Sequence, residues 1–207
     1  MARYLGPSCR VCRRLGTKLF LKGDKCTSDK CVLNKRKFPP GQRPKRMSKL
    51  TPYALQLKEK QKLKKMYGML EKQFHLFFEL ANRKKGVTGH NLLILLETRL
   101  DNVVYRLSMA SSRNQARQLV LHGHVLVNGK KVTVPSYRVR PEEIISVTTK
   151  SQKMKSIIDC LGAGESNIPV WLQLDVDKFE GRVDHYPARE EIDVPINEQT
   201  IVELYSK

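Results

Sequence analysis

The sequence predicts an α+β protein in which helices dominate the first half and short strands appear in the second. Apolar side chains recur at helical spacing between positions 51 and 100. The run from 125 to 134 is β-rich on both sides of an Asn-Gly dipeptide, which favours a two-residue hairpin turn. With 207 residues, 40% of them hydrophobic, the chain is long enough for one or two domains with a real core.

The charge of the chain is strongly positive and unevenly distributed. The formal net charge is +19, the first hundred residues alone carry +19, residues 101–155 carry +7 and residues 156–207 carry −7. Such an excess predicts a polyanionic partner and argues against a free-standing enzyme for small neutral substrates.

The longest apolar block, 92–96, is too short to cross a membrane, and no signal-peptide pattern opens the chain. Without a signal peptide we expect the cysteines to be in a reducing compartment, and without an apolar span we expect no membrane partner. The acidic last quarter is expected to avoid nucleic acid.

Four cysteines predict a metal site near the N-terminus. Cys9 and Cys12 form a C-x2-C pair, and Cys26 and Cys31 form a C-x4-C pair after thirteen intervening residues. Two such pairs suit the tetrahedral geometry of zinc, and four thiolates leave no open position for catalysis. We expect one structural zinc ion per chain, with an iron–sulfur cluster as the alternative. Cys160 stands in an apolar run and is expected to be a buried free thiol.

A basic arm follows the cysteines, and helices follow the arm. Residues 35–49 combine seven Lys or Arg residues with three prolines and a glycine, so the arm is expected to be extended and to order on a phosphate backbone, or else to be a soluble linker. Thr51-Pro52 predicts a helix start, and Gly68 is expected to separate the first helix from a second that ends at 82–86. A third helix is predicted at about 88–100. On the first of these helices, Lys58, Lys62 and Lys65 are expected to share one side.

The second half alternates short helices and strands. A short helix around 103–107 precedes one at 113–122, which Ser111-Ser112 can cap. The hairpin at 125–134 follows, then strands at 144–147, 170–174 and 179–183, with a helix at 151–161 between the first two of these. Asn197 is expected to cap a final helix that runs through residue 205.

Arginines and short polar groups around the hairpin are candidates for nucleic-acid recognition. Arg113 and Arg117 lie one helical turn apart, on a flank separate from the apolar side of their helix. His122, His124, Asn128, Lys130 and Lys131 follow around the loop and turn. Guanidinium groups and small polar groups suit contacts with a phosphate backbone. The alternative is a set of surface arginines without a ligand, together with histidines that serve only the fold.

Several of these segments resemble bacterial small-subunit ribosomal protein four. The resemblance is carried by ETRLDNVVYRL at 97–107, SRNQARQLVLHGHVLVNGK at 112–130, VPSYRVR at 134–140, LKEKQKL at 57–63 and YG at 67–68. It covers essentially the whole chain, and the four cysteines look like the zinc-bearing branch of that family. It implies a basic zinc-knuckle segment at 1–45, a helical domain at 46–97 rejoined by the helix at 197–207, and a mixed α/β domain at 98–196. The RNA-binding motif would occupy about 97–160.

The resemblance also implies a function. Such a protein binds the 5′ domain of small-subunit rRNA early, nucleates assembly in the cytoplasm and affects decoding accuracy by contacting ribosomal protein five. Proteins twelve and sixteen are further expected neighbours. The resemblance also implies contact with messenger RNA where it enters the subunit and, in some members of the family, repression of the protein's own messenger. The residues expected to contact RNA are Arg10, Arg13, Arg14, Lys35, Arg36, Lys37, Arg43, Lys45, Arg46, Lys49, Lys58, Lys62, Lys65, Arg83, Lys84, Lys85, Arg99, Arg113, Arg117, His122, His124, Asn128, Lys130 and Lys131.

Three other functions compete with this interpretation. Arg99-Leu100-Asp101 resembles the catalytic tripeptide of RNA pseudouridine synthases, but here it lies inside the motif and no room remains for a catalytic domain. We expect Asp101 to cap its helix or to pair with Arg106, and we expect no enzyme activity. A non-ribosomal RNA-binding protein with the same motif is the second alternative. A zinc-dependent DNA regulator is the third, although no finger helix with His ligands follows the cysteines.

Overall fold

The structure, a computed structural model, describes residues 3–42, 49–164 and 168–206. The chain divides into two compact units: unit 1 consists of Met1–Gly89 and Val194–Lys207, and unit 2 of His90–Asp193. The cysteine-bearing segment thus belongs to the same unit as the helices that follow it, and so does the C-terminal helix. The division falls inside a helix, on the N-terminal side of the predicted boundary at 97/98.

Eleven helices and five strands occur in the described ranges. The helices are α1 (Ser8–Leu15), α2 (Asp24–Thr27), α3 (Val32–Lys35), α4 (Pro52–Met66), α5 (Glu71–Arg83), α6 (Thr88–Glu97), α7 (Leu100–Arg106), α8 (Arg113–Leu121), α9 (Thr149–Gln152), α10 (Lys155–Gly164) and α11 (Glu198–Tyr205). The strands are β1 (Val125–Val127), β2 (Lys130–Lys131), β3 (Ile144–Val147), β4 (Leu172–Asp175) and β5 (Glu180–Val183).

The long helices of unit 1 begin where the cap residues predict. The Thr51 hydroxyl oxygen accepts a hydrogen bond from the Ala54 N–H at 3.2 Å, and Pro52 occupies the first turn, where its missing N–H costs nothing. The short helices α1 to α3 were not predicted, because they are too brief to show apolar periodicity. Their existence depends on contacts beyond their own sequence.

The core of unit 1 joins α4, α5 and α11. Leu63 of α4, Phe74 and Phe78 of α5 and Ile201 of α11 are buried. Tyr205 stacks on Phe78 with ring centroids 4.3 Å apart, so the end of the chain covers aromatic residues that lie far away in sequence. The helix that the Asn197 side chain caps is therefore held by packing and not only by its own propensity.

The sheet of unit 2 is antiparallel, with strand order β2-β1-β3-β5-β4. The turn between β1 and β2 has positive φ at Asn128 (49°) and Gly129 (76°), as a two-residue hairpin turn requires. The strand after the turn is shorter than predicted, since pairing ends at Lys131. Gly181 of β5 lets Leu107 lie against the sheet, because an added Cβ would come within 2.5 Å of that side chain.

One hydrophobic cluster fills unit 2 and contains residues of α7, α8, α10 and all the longer strands. Trp171, the single tryptophan of the chain, is 1% exposed inside it. The predicted helix at 151–161 is instead two helices, α9 and α10, joined by Lys153 and Met154. Cys160 is half-buried and not fully buried, because it lies toward the outer side of α10 while Ile157 and Leu161 enter the cluster.

Candidate nucleic-acid interface

A buried ion-pair network underlies α7 and α8. Asp101 accepts hydrogen bonds from Arg99 Nε at 3.0 Å and Arg99 Nη2 at 2.7 Å, and from Arg117 Nη1 at 3.1 Å. Arg99 is 1% exposed, while Asp101 and Arg117 are each 5% exposed. One carboxylate thus serves two guanidinium groups away from water, which is stabilising only when the geometry is good. Arg99 and Arg117, expected to contact RNA, are internal residues that position the two helices.

A second network begins at the buried Glu97 and reaches the half-buried Arg113. Glu97, also buried, accepts from Arg106 Nη2 at 2.7 Å, and its Oε2 accepts from Asn102 Nδ2 at 2.6 Å. Asn102 Oδ1 in turn accepts from Arg113 Nε at 2.7 Å, and the Arg113 guanidinium lies 4.6 Å from the centre of the Tyr105 ring. The expected Asp101–Arg106 pair was wrong, since Arg106 reaches the carboxylate of α6. These contacts hold the half-buried Arg113 side chain in one orientation.

The hairpin and its neighbours present exposed polar groups. Asn128 Oδ1 accepts from the Ile144 N–H at 2.9 Å, so this side chain secures the turn to β3. Lys130, Lys131 and His122 are exposed. His124 is half-buried, with Nδ1 2.8 Å from the Ser151 hydroxyl, which gives it a structural partner.

The surface of this part of unit 2 is predominantly positive. Residues 102–141 contain seven Lys or Arg residues and no Asp or Glu, and two of the seven, Arg106 and Arg117, are paired with the buried Glu97 and Asp101. The remaining five are exposed or half-buried, and the segment ends at the exposed Glu142 and the half-buried Glu143. The exposed cations Arg138, Arg140, Lys150 and Lys153 add to this surface, although none was a candidate from sequence. The sequence feature that could have identified them is the high density of Lys and Arg just beyond the hairpin motif.

The cations predicted in unit 1 divide by exposure. The exposed ones are Arg10, Arg14, Lys35, Arg36, Lys37, Lys49, Arg83, Lys84 and Lys85. Arg13 is half-buried and donates to the Phe38 and Pro39 carbonyls at 2.9 and 3.0 Å, so it secures the start of the basic arm. Lys62 donates to the Pro195 carbonyl, which gives it an internal role. Lys58 and Lys65 are half-buried, and the Lys65 ammonium lies over the Tyr4 ring. Arg43, Lys45 and Arg46 lie outside the described residues.

The four predicted zinc ligands come near one another in unit 1. Cys12, Cys26 and Cys31 are buried, and Cys9 is half-buried. Burial raises the pKa of the Cys12 thiol, and the other three cysteines are close enough to add to this effect. The sulfurs of Cys12 and Cys26 accept backbone N–H groups, of Leu19 and of Lys22 respectively, as metal-bound thiolates commonly do. Within the described ranges, however, no three His, Cys, Asp or Glu side chains adopt a ready metal-binding arrangement.

No helix within the described residues is both long enough and apolar enough to span a bilayer.

Comparison with known proteins assigns the family. Residues 3–97 match the Ribosomal protein S4/S9 N-terminal domain, and residues 98–145 match the S4 domain. The chain is 58% identical over 207 residues to small ribosomal subunit protein uS4 of Thermoanaerobacter sp. (strain X514) and 56% identical over 208 residues to that of Trichlorobacter lovleyi. It is 55% identical over 210 residues to uS4A of Clostridium botulinum, and all three matches cover 100% of both chains. The chain therefore belongs to the uS4 family of small-subunit ribosomal proteins.

Proposed function

We propose that this protein is a structural component of the small ribosomal subunit that binds rRNA directly and is not an enzyme. The observation that carries the proposal is the cluster of exposed and half-buried cations on α8, the hairpin and the segment after it, where Glu97 and Asp101 are buried in ion pairs with Arg106 and Arg117. A rigid cationic surface of this kind recognises the shape and phosphates of folded RNA. Asp101, the one carboxylate of the tripeptide that resembles a catalytic motif, is occupied by two arginines, which supports a binding role.

The RNA that fits the family is the 5′ domain of small-subunit rRNA, bound early so that it nucleates assembly on cytoplasmic ribosomes. The acidic charge of residues 156–207 suits a basic protein neighbour, and we assign that role to ribosomal protein five, through which the chain would influence decoding accuracy. Contacts with proteins twelve and sixteen and with incoming messenger RNA are extensions of the same proposal. A non-ribosomal RNA-binding protein is the alternative, and cosedimentation of stoichiometric protein with small subunits distinguishes the two.

RNA binding is tested by its salt dependence. Affinity for a transcribed 5′-domain RNA should fall steeply as salt rises, because the lysines and arginines release counterions. The double variant Lys130→Gln/Lys131→Gln should lower the slope of log affinity against log salt by about two, or about one for each lysine. Lys178→Gln is the matched control, since Lys178 is also exposed but is paired with Asp175 at 2.9 Å in the acidic part of unit 2. Salt-independent binding, or equal slopes for the variants, would contradict the proposal.

We also propose that Cys9, Cys12, Cys26 and Cys31 hold one structural zinc ion, as the zinc-bearing branch of the family would. The proximity of the four sulfurs and the N–H groups donated to two of them support this assignment. Metal analysis of protein purified without chelator should give one zinc per chain, and Cys26→Ser should lower that content, whereas Cys160→Ser should not. Charge-transfer absorption in the visible region would instead indicate an iron–sulfur cluster.

A further inference from the structure

A groove in unit 1 lies between α1 and α4. Its volume is about 810 Å³, within the range that accommodates small molecules. Val11 and Leu15 of α1 contribute one wall, Leu57 of α4 contributes the other, and Pro39 and Pro40 close part of the lining. The groove therefore has an apolar interior on an otherwise strongly basic part of the chain.

The polar lining of the groove is cationic. It contains Arg10 and Arg14 on the α1 side and Lys58 and Lys65 on the α4 side, and no Asp or Glu is among its described lining residues. Apolar walls beneath a cationic rim match a ligand that joins a flat, weakly polar group to an anionic one. An aliphatic or purely anionic ligand would use only one half of this surface.

An aromatic ring stands among these groups. Tyr4 lines the groove, and the Lys65 ammonium lies 4.1 Å from the centre of its ring. The residue is 43% exposed, so part of its surface remains accessible to a ligand. Aromatic rings that alternate with cations are typical of surfaces on which nucleobases stack while their phosphates are neutralised.

We propose that this groove binds one unpaired nucleotide of RNA, with the base against Tyr4 and the apolar walls and the phosphate against the cationic rim. The inference rests on the proposed function and adds to it a second mode of recognition. The hairpin surface of unit 2 contacts phosphates and shape, whereas the groove selects a nucleotide that has left its helix. An acidic peptide would satisfy the rim but would leave the aromatic and apolar lining without a partner.

The test uses the full-length chain and two RNA duplexes that differ by one nucleotide. The first carries a single bulged 2-aminopurine, and the second is fully paired. Wild-type protein should bind the bulged duplex about tenfold more tightly and quench its fluorescence by stacking. Tyr4→Ala should abolish both the preference and the quenching, whereas Tyr4→Phe, which keeps the ring, should retain them. Tyr53→Ala is the matched control, because Tyr53 is 58% exposed on α4 and does not line the groove.

The outcomes separate this inference from the proposed function. Affinity for the 5′-domain RNA is measured with the same proteins. If wild type binds that RNA with steep salt dependence but shows no preference for the bulged duplex, the groove inference is overturned and the proposed function stands. Equal behaviour of Tyr4→Ala and Tyr53→Ala has the same meaning. If wild type binds neither RNA, the proposed function and the inference both fail.

Discussion

Asp101→Asn is the substitution that tests the buried network most directly. In the folded chain the Asp101 carboxylate is the shared partner of Arg99 and Arg117, and all three side chains lie almost entirely out of water. Asparagine has nearly the same shape but no charge, and its amide N–H₂ would face guanidinium donors. The change removes the negative charge that the two buried cations share while creating almost no cavity.

The expected cost is large for a nearly isosteric substitution. A unit charge pair at 4 Å is worth about 4 kcal/mol at an effective dielectric constant of 20, and Asp101 makes two such pairs at N···O distances of 2.7 and 3.1 Å. Repulsion between the two arginines, and water that enters the variant, offset part of this gain. Removal of one partner from a buried ion pair typically costs about 3–5 kcal/mol, and we expect a loss of unfolding free energy in that range.

The assay is urea unfolding followed by tryptophan fluorescence. Because Trp171 is the only tryptophan and lies in the core of unit 2, its emission reports the unfolding of the unit that contains Asp101. Asp175→Asn is the matched control, since it removes a carboxylate whose ion pair with Lys178 is solvent-exposed, and it should leave the free energy of unfolding nearly unchanged. A loss of less than about 1 kcal/mol for Asp101→Asn would refute the reasoning that these charges depend on each other.

Three further predictions concern the rest of the fold. Burial raises the pKa of Glu71, but hydrogen bonds from Lys60 and Lys64 of α4 outweigh this effect and lower the pKa to about 2. The stability that the ionised carboxylate contributes is therefore fully present above about pH 4.5 and is lost as the pH falls through 2. The stability difference between wild type and Glu71→Gln, measured by circular dichroism, should therefore shrink over that interval, and a constant difference would contradict the assignment. Tyr205→Ala should destabilise unit 1 by about 1–3 kcal/mol in urea unfolding through loss of the Phe78 stack, whereas Tyr205→Phe should cost less than 1 kcal/mol. Gly129→Ala should cost about 1 kcal/mol because φ is +76°, and an unchanged midpoint would indicate a different turn.

Local chemistry predicted the elements that have clear end signals. Thr51-Pro52, Ser112, Asn128-Gly129 and Asn197 act over two to four residues, and each has the predicted role in the structure. The elements that were missed or misplaced lack such signals. The third predicted helix ends at Glu97, because the backbone of Arg99 is extended and forms an antiparallel β-bridge with Arg138. Arg138 is distant in sequence, so no local pattern predicts this bridge.

The candidate interface shows the same division. The type and location of the charge were predicted from sequence, and the family resemblance was confirmed by full-length relatives, while its zinc-bearing branch stays a prediction. Helical spacing placed Arg113 and Arg117 on one flank, but only Arg113 approaches the surface there. Burial depends on which element packs against that flank, and Asp101 on α7 supplies a partner that draws Arg117 inward.

By itself, the sequence determined the family, the α+β class, the hairpin turn and the segregation of charge, because these depend on short-range chemistry and on composition. The tertiary structure alone decided which cations face solvent and which hold the scaffold together. Arg99 and Arg117 are chemically the same as the exposed arginines of the chain. What separates them is a carboxylate brought within 3.1 Å by folding, since a buried guanidinium is stable only where the fold provides its counter-charge.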